Sequence, residues 1–148
     1  MSLRPRLAVR AAVLHGNRLL VVNAWPDEGS DLWCLPGGGV EAGASLPENL
    51  TRELAEETGL RICVGAVILI NEFRDPASGY HQVEVIFRAT LAGDGPDLVL
   101  EDPEGVVNRA RWVTRAELAR LAHRPRLLAR AVWGDHAAWY DPIEDILR

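Results

Sequence analysis

Two apolar runs open the chain, 6–15 (RLAVRAAVLH) and 18–25 (RLLVVNAW), both rich in valine and leucine and parted by Gly16-Asn17. Such runs on either side of a Gly-Asn pair predict two strands joined by a tight hairpin turn. A polar connection from Trp25-Pro26 to Ser30 follows, and Asp31–Leu35 delivers the chain into Pro36 and three successive glycines. Proline and glycine there predict a loop whose backbone can take positive φ and approach a ligand closely. Ser45 and Glu48 then stand at capping-box spacing, Pro47 suits a first turn, and Gly59 supplies a C-terminal stop. A helix over about 46–58 is predicted.

After that helix, Arg61 to Phe73 (RICVGAVILINEF) is β-branched and nearly all apolar, the pattern of a strand buried on both faces. Asp75–Gly79 reads as a turn. From Tyr80 to Leu91, Val83, Val85 and Phe87 alternate with Gln82, Glu84 and Arg88, which predicts a strand with the valines on the core face and the polar residues on a wetter one. Residues 93–105 carry glycine, proline and acids around Leu98-Val99-Leu100, and Val106–Val113 reads as a further strand. Thr114 and Glu117 form a second capping box, for a helix to about Ala122, and Arg126–Trp133 is predicted to be helical. Trp133, Trp139 and Tyr140 make the tail aromatic enough to dock on the domain.

Strands, a helix, more strands and further helices predict an α/β or α+β protein, a mixed sheet with helices on both faces, as a single domain over 1–148. Composition narrows the partners. A formal charge of −5 and ordinary apolar content (48%) argue against a general nucleic-acid or membrane-surface binder. No apolar run reaches membrane-spanning length and the first residues lack a signal-peptide pattern, so a cytoplasmic location is expected. All sixteen basic residues are arginine, which excludes a P-loop NTPase or a Schiff-base enzyme. Cys34 and Cys63, in apolar surroundings and without metal spacing, are expected to be buried free thiols.

Chemistry concentrates between Gly37 and Leu60. Glu41, Glu48, Glu53, Glu56 and Glu57 surround one cation, Arg52. At about 100° per residue, Glu53, Glu56 and Glu57 share a helix face. A solvated acidic face is the ordinary meaning of such a run. Leu46, Leu50 and Leu54 flank it, however, so part of that face must lie against protein. An all-oxygen cluster is matched by a hard divalent cation, Mg²⁺ or Mn²⁺. Glu48 is accounted for by the capping box. His15, His81, His123 and His136 have no nucleophile or acid at a readable spacing, and Trp33 is expected to fill the core.

Gly38, five residues, position 44, seven residues, then Arg52-Glu53-Leu54-Ala55-Glu56-Glu57-Thr58-Gly59-Leu60 resembles the signature box of the Nudix hydrolases. One position departs: the glutamate usual at 44 is Ala44. The resemblance implies an α/β/α sandwich with a mixed sheet, a small-molecule nucleotide substrate and a homodimer in many members. It implies Glu56 and Glu57 as principal metal ligands and Glu53 as a third ligand or the general base. Arg52 would hold the glutamate beside it, Gly37 or Gly38 would lend a carbonyl to the metal, and Gly38 and Gly39 would border the substrate. Glu41 is a candidate substitute for the missing acid. Outside the box, Glu84, Glu101, Asp102 and Glu104 are candidates for a further acid, each weighed against a solvent-facing charge.

The reaction implied is hydrolysis of a pyrophosphate linkage in a nucleoside diphosphate joined to another moiety, with ADP-ribose or a nucleotide sugar favoured by the lead-in LPGGGVE. The alternative is a nucleotide-binding sensor, hydrolytically weak because of Ala44.

Overall fold

The computed structural model describes residues 4–93, 95–134 and 138–147; His136 lies outside them. Strands β1 (Arg6–His15) and β2 (Arg18–Asn23) form the expected hairpin, with Gly16 and Asn17 both at positive φ, 57° and 60°. That is the pair of left-handed residues a two-residue turn needs. Short strands β3 (Trp33–Cys34) and β4 (Gly37–Gly39) precede helix α1 (Leu46–Thr58). Long strands β5 (Ile62–Asp75) and β6 (Tyr80–Leu91) pair antiparallel. β7 (Ala110–Val113), α2 (Arg115–Ala119), α3 (Leu128–Trp133) and β8 (Trp139–Asp145) complete the chain.

The eight strands form one mixed sheet in the order β3-β2-β1-β6-β5-β8, with β4 on β1 and β7 on β2; β1–β6 and β5–β8 are the parallel pairs. Alternation along β1 sends its residues to two separate cores. Val9, Ala11 and Val13 pack with Leu50 and Leu54 of α1 on one face. Ala12 packs with Leu118 of α2 and Leu128 and Val132 of α3 on the other. This is the expected α/β/α sandwich. Leu50 and Leu54 are fully buried, each stabilising α1's dock by roughly 1.5–3 kcal/mol. Both capping boxes are formed, at Ser45/Glu48 and Thr114/Glu117, and Gly59 ends α1 at φ 72°.

Several local expectations are overturned. The glycine run is not a loop: Gly37, Gly38 and Gly39 pair antiparallel with Arg10, Val9 and Ala8. Backbone of β1 was available to them, and a run without side chains can press against it. β5 is not buried on both faces, since Cys63, Gly65, Ala66 and Ile70 are exposed; Cys63 is therefore no buried thiol. On β6 the polar residues take the deeper places in the first half: Gln82 is 1% and Glu84 5% exposed, whereas Val83 and Val85 are half-buried. β7 starts four residues late because side chains claim the backbone before it. Asp102 accepts from the N–H groups of Glu104, Val106 and Val107, and Asn23 from those of Asn108 and Arg109. α2 ends at Ala119, and α3 begins at Leu128, after Pro125. The tail docks as expected, but as a strand, β8, beside β5, with Arg130 stacked 4.6 Å from the Trp139 ring centre.

Candidate active site

Helix α1 carries its acids to the glycine strand. Gly37 N–H donates to Glu57 Oε1 at 3.0 Å in a buried contact. Each glycine of the run has a separate steric reason. A Cβ on Gly37 would collide with the Val9 carbonyl of β1; on Gly38 it would stand 2.5 Å from the Glu53 carboxylate; on Gly39, 2.5 Å from the Arg6 guanidinium. Gly37→Ala is accordingly expected to disrupt the β4–β1 pairing and lower the melting temperature sharply. In Gly38→Ala only the flexible end of Glu53 must move, so stability should change little while Glu53 is displaced. Thermal unfolding of the two variants side by side checks the contrast.

Arg52 gathers the remaining acids: Nη1 lies 3.2 Å from Glu53, 3.6 Å from Glu56 and 3.6 Å from Glu41. Asn49, not among the residues singled out from the sequence, holds Arg52 in turn. It is 1% exposed, and its Oδ1 accepts from Arg52 Nη2 (2.9 Å) and from Glu41 N–H (2.8 Å). Its Nδ2 donates to the carbonyls of Glu41, Ala44 and Ser45. One buried amide thus ties the loop before α1 to the acidic face, and its place one turn before Glu53 was the available clue.

Burial decides the electrostatics. Desolvation pushes Glu57 up to about 7 against the opposing pull of Arg10 and of the Gly37 N–H, with Asp102 and Glu53 adding to the rise. Glu53 is raised by burial, less the effect of Arg52, with Glu56 and Glu104 contributing upward. Of the loop acids considered, Asp102 and Glu104 are therefore the ones electrostatically felt by α1. Glu84 instead pairs with Arg10 (3.0 Å). Arg10's charge is opposed by its own burial but favoured by Glu84, then Cys34 and Glu57, and is held above the ordinary arginine value.

Among the described residues, no three acidic, cysteine or histidine side chains stand close enough to grip a cation as they are turned. Glu57 faces Gly37, while Glu53 and Glu56 face Arg52. The donor chemistry nonetheless fits a hard divalent ion: all oxygen, negative in excess, and partly desolvated.

Beside β4, a cleft of about 410 Å³ is lined by Arg6, Arg10, Trp25, Phe73, Tyr80 and Gln82 among others. Arg10 links the two regions, pairing with Glu84 in the cleft and acting on Glu57 outside it. Cys34 also lines the cleft, its thiol pushed up to about 11 by burial, too high for a reactive thiolate. Trp33 fills the core as expected, with Arg109 and Arg111 each 5.7 Å from its ring centre. His81 bonds Glu72 and His123 the Leu121 carbonyl; neither reaches the acids of α1.

Sheet, helices and site together define an α/β/α sandwich with an arginine-tethered acidic helix docked on a glycine strand at the sheet. The chain belongs to the NUDIX domain family, whose profile matches residues 4–132. It is 29% identical over 93 residues to an ADP-ribose pyrophosphatase of Methanocaldococcus jannaschii, covering 63% of this chain and 55% of that protein. The chain spans about half the length of the curated relatives it matches. Its fold superposes on a NUDIX hydrolase from Nitrosomonas europaea with a TM-score of 0.70 (21% identity; 99% of this chain, 82% of that one). An ADP-ribose pyrophosphatase from Streptococcus suis matches with a TM-score of 0.62 (22% identity; 93% and 100%).

Proposed function

We propose that this protein is a divalent-metal-dependent pyrophosphohydrolase acting on a nucleoside diphosphate joined to a second moiety, ADP-ribose or a nucleotide sugar, in the cytoplasm. The observation that carries the reading is the buried Glu57–Gly37 contact, which sets the acidic helix beside an arginine-lined cleft. Glu56 and Glu57 would hold the cation, Mg²⁺ or Mn²⁺, with Glu53, the Gly37 carbonyl and Glu41 as further oxygen donors within the same segment. The ion supplies polarisation of a phosphoryl oxygen and of water.

The chain's own groups do the rest. Arg6, held beside Gly39, and Arg10 supply positive charge for the diphosphate, bordered by Gly38 and Gly39. Glu53, raised by desolvation and oriented by Arg52, takes the proton of the attacking water on a carboxylate oxygen. The water oxygen bonds to phosphorus, the anhydride P–O bond breaks, and the leaving phosphate carries away that electron pair. From ADP-ribose the products are AMP and ribose phosphate.

Incubation with ADP-ribose and Mg²⁺ within a panel of nucleotides tests the proposal: metal-dependent AMP release is expected. Tight nucleotide binding without turnover of any panel member would favour the sensor reading instead. Ala44→Glu is expected to raise turnover at limiting Mg²⁺; unchanged turnover would mean that Glu41 or a loop acid already fills that place.

A further inference from the structure

The floor of the cleft is polar, buried and almost wholly paired. Gln82 Oε1 accepts from Arg6 (2.5 Å) and from the Tyr80 hydroxyl (2.5 Å), and its Nε2 donates to Glu84 (2.8 Å). Glu84 in turn accepts from Arg10 Nε (3.0 Å). Arg124 Nε makes no hydrogen bond, but its charge is met by Glu144 at 3.2 Å. Asn71 breaks the pattern. It lines the cleft, is 3% exposed, and its Oδ1 has no hydrogen-bond partner. A buried acceptor left unpaired costs about 1–3 kcal/mol, and a fold keeps such a group where a ligand completes it.

Position says which part of a ligand. Across the sheet, Gly39 pairs with Ala8, Ala8 with Glu84, and Glu84 with Asn71. Asn71 thus lies three strands from the glycine strand, about 14 Å at the usual spacing, a distance comparable with a nucleoside diphosphate laid out flat. Phosphates at the Arg6 and Arg10 end place the base at the Asn71 end, near Phe73 and Tyr80, whose rings lie 6.1 Å apart. The neighbouring strand repeats the feature: Asp141, Asn71's register partner on β8, is 3% exposed and its Oδ2 also lacks a partner.

Resting on the functional reading above, we propose that Asn71 determines base specificity, its side-chain oxygen accepting an N–H from the exocyclic amino group of an adenine-like base. Rates on ADP-ribose and on its analogue with hydrogen in place of the 6-amino group test this, because the analogue has no exocyclic N–H to offer the Asn71 oxygen. In the wild-type chain, kcat/KM should favour ADP-ribose by about tenfold or more. Asn71→Leu should bring the ratio to within about twofold while leaving the melting temperature equal or higher, because the orphaned acceptor is gone. Asn71→Ala, which cannot overfill the site, should do the same. A ratio unchanged in both folded variants, or equal in the wild type, overturns the assignment. Calorimetric binding of AMP and its 6-deamino counterpart reads the same contrast without turnover. Failure of hydrolysis with the contrast intact would count against the hydrolase alone, whereas an absent contrast overturns the role of Asn71.

Discussion

Glu57→Gln is expected to abolish metal-dependent hydrolysis, by at least about a hundredfold, and at the same time to stabilise the protein in chelator at pH 8. Both effects come from one buried charge. The side chain is 5% exposed, and its folded value, about 7, lies above the ordinary 4.5. The folded state therefore holds this proton more tightly than the unfolded chain does. Stability from this group is fully present below about pH 4.5 and is lost as pH rises towards 7, remaining lost above that. Ionising this carboxylate in the folded protein therefore costs on the order of 3 kcal/mol.

Glutamine keeps an oxygen for the Gly37 N–H and removes the charge, so the melting temperature at pH 8 should rise by several degrees. Mg²⁺ should raise the wild-type midpoint by mass action and leave that of Glu57→Gln nearly unmoved. Thermal unfolding with chelator and with millimolar Mg²⁺, at pH 5 and pH 8, measures all of this. A Glu57→Gln protein no more stable than wild type at pH 8 would refute the buried-charge account.

Asn49→Ala should be the most damaging single change around the site that touches no acid. It removes the acceptor shared by Arg52 and the Glu41 N–H and the donor serving three carbonyls. At about 0.5–1.5 kcal/mol net per bond, with water able to replace some at the exposed loop, a loss of about 2–4 kcal/mol is expected. Arg52 is released with the loop, so Glu53 and Glu56 lose their common anchor and activity should fall more than stability alone accounts for. Denaturant unfolding combined with kcat on the folded fraction separates the two. Full activity in the folded fraction would show that Asn49 acts on the loop alone.

The elements legible in the sequence were those whose causes are local. Helix α1 begins and ends where Ser45, Glu48 and Gly59 place it, because caps act within one turn of backbone. The β1–β2 hairpin likewise follows from two left-handed residues, Gly16 and Asn17. The acidic face of α1 was legible for the same reason, since helical spacing alone puts Glu53, Glu56 and Glu57 together.

Other features needed the rest of the chain. The glycine run reads as a loop because its hydrogen bonds go to β1, about 27 to 31 residues earlier, and no local pattern names that partner. On β6 the alternation was real, but its meaning inverted. Arg6 and Arg10 come from another strand to pair Gln82 and Glu84, making the polar face of the first half the buried one. β8 was missed because Trp139–Asp145 contains a proline and three acids, a poor strand by propensity, accepted at a sheet edge where β5 had backbone groups to pair.

The sequence by itself determined the capped acidic helix, its arginine, the glycines before it and the alternation of strands and helices, since each depends on residues within a turn or two of one another. Only the tertiary structure decided that the glycines form a strand against which Glu57 is buried, that Asn49 locks the loop to Arg52, and that Asn71 stands unpaired in the cleft. Those depend on which backbones come together and which charges lose their water. Both are set by contacts between strands distant in the chain.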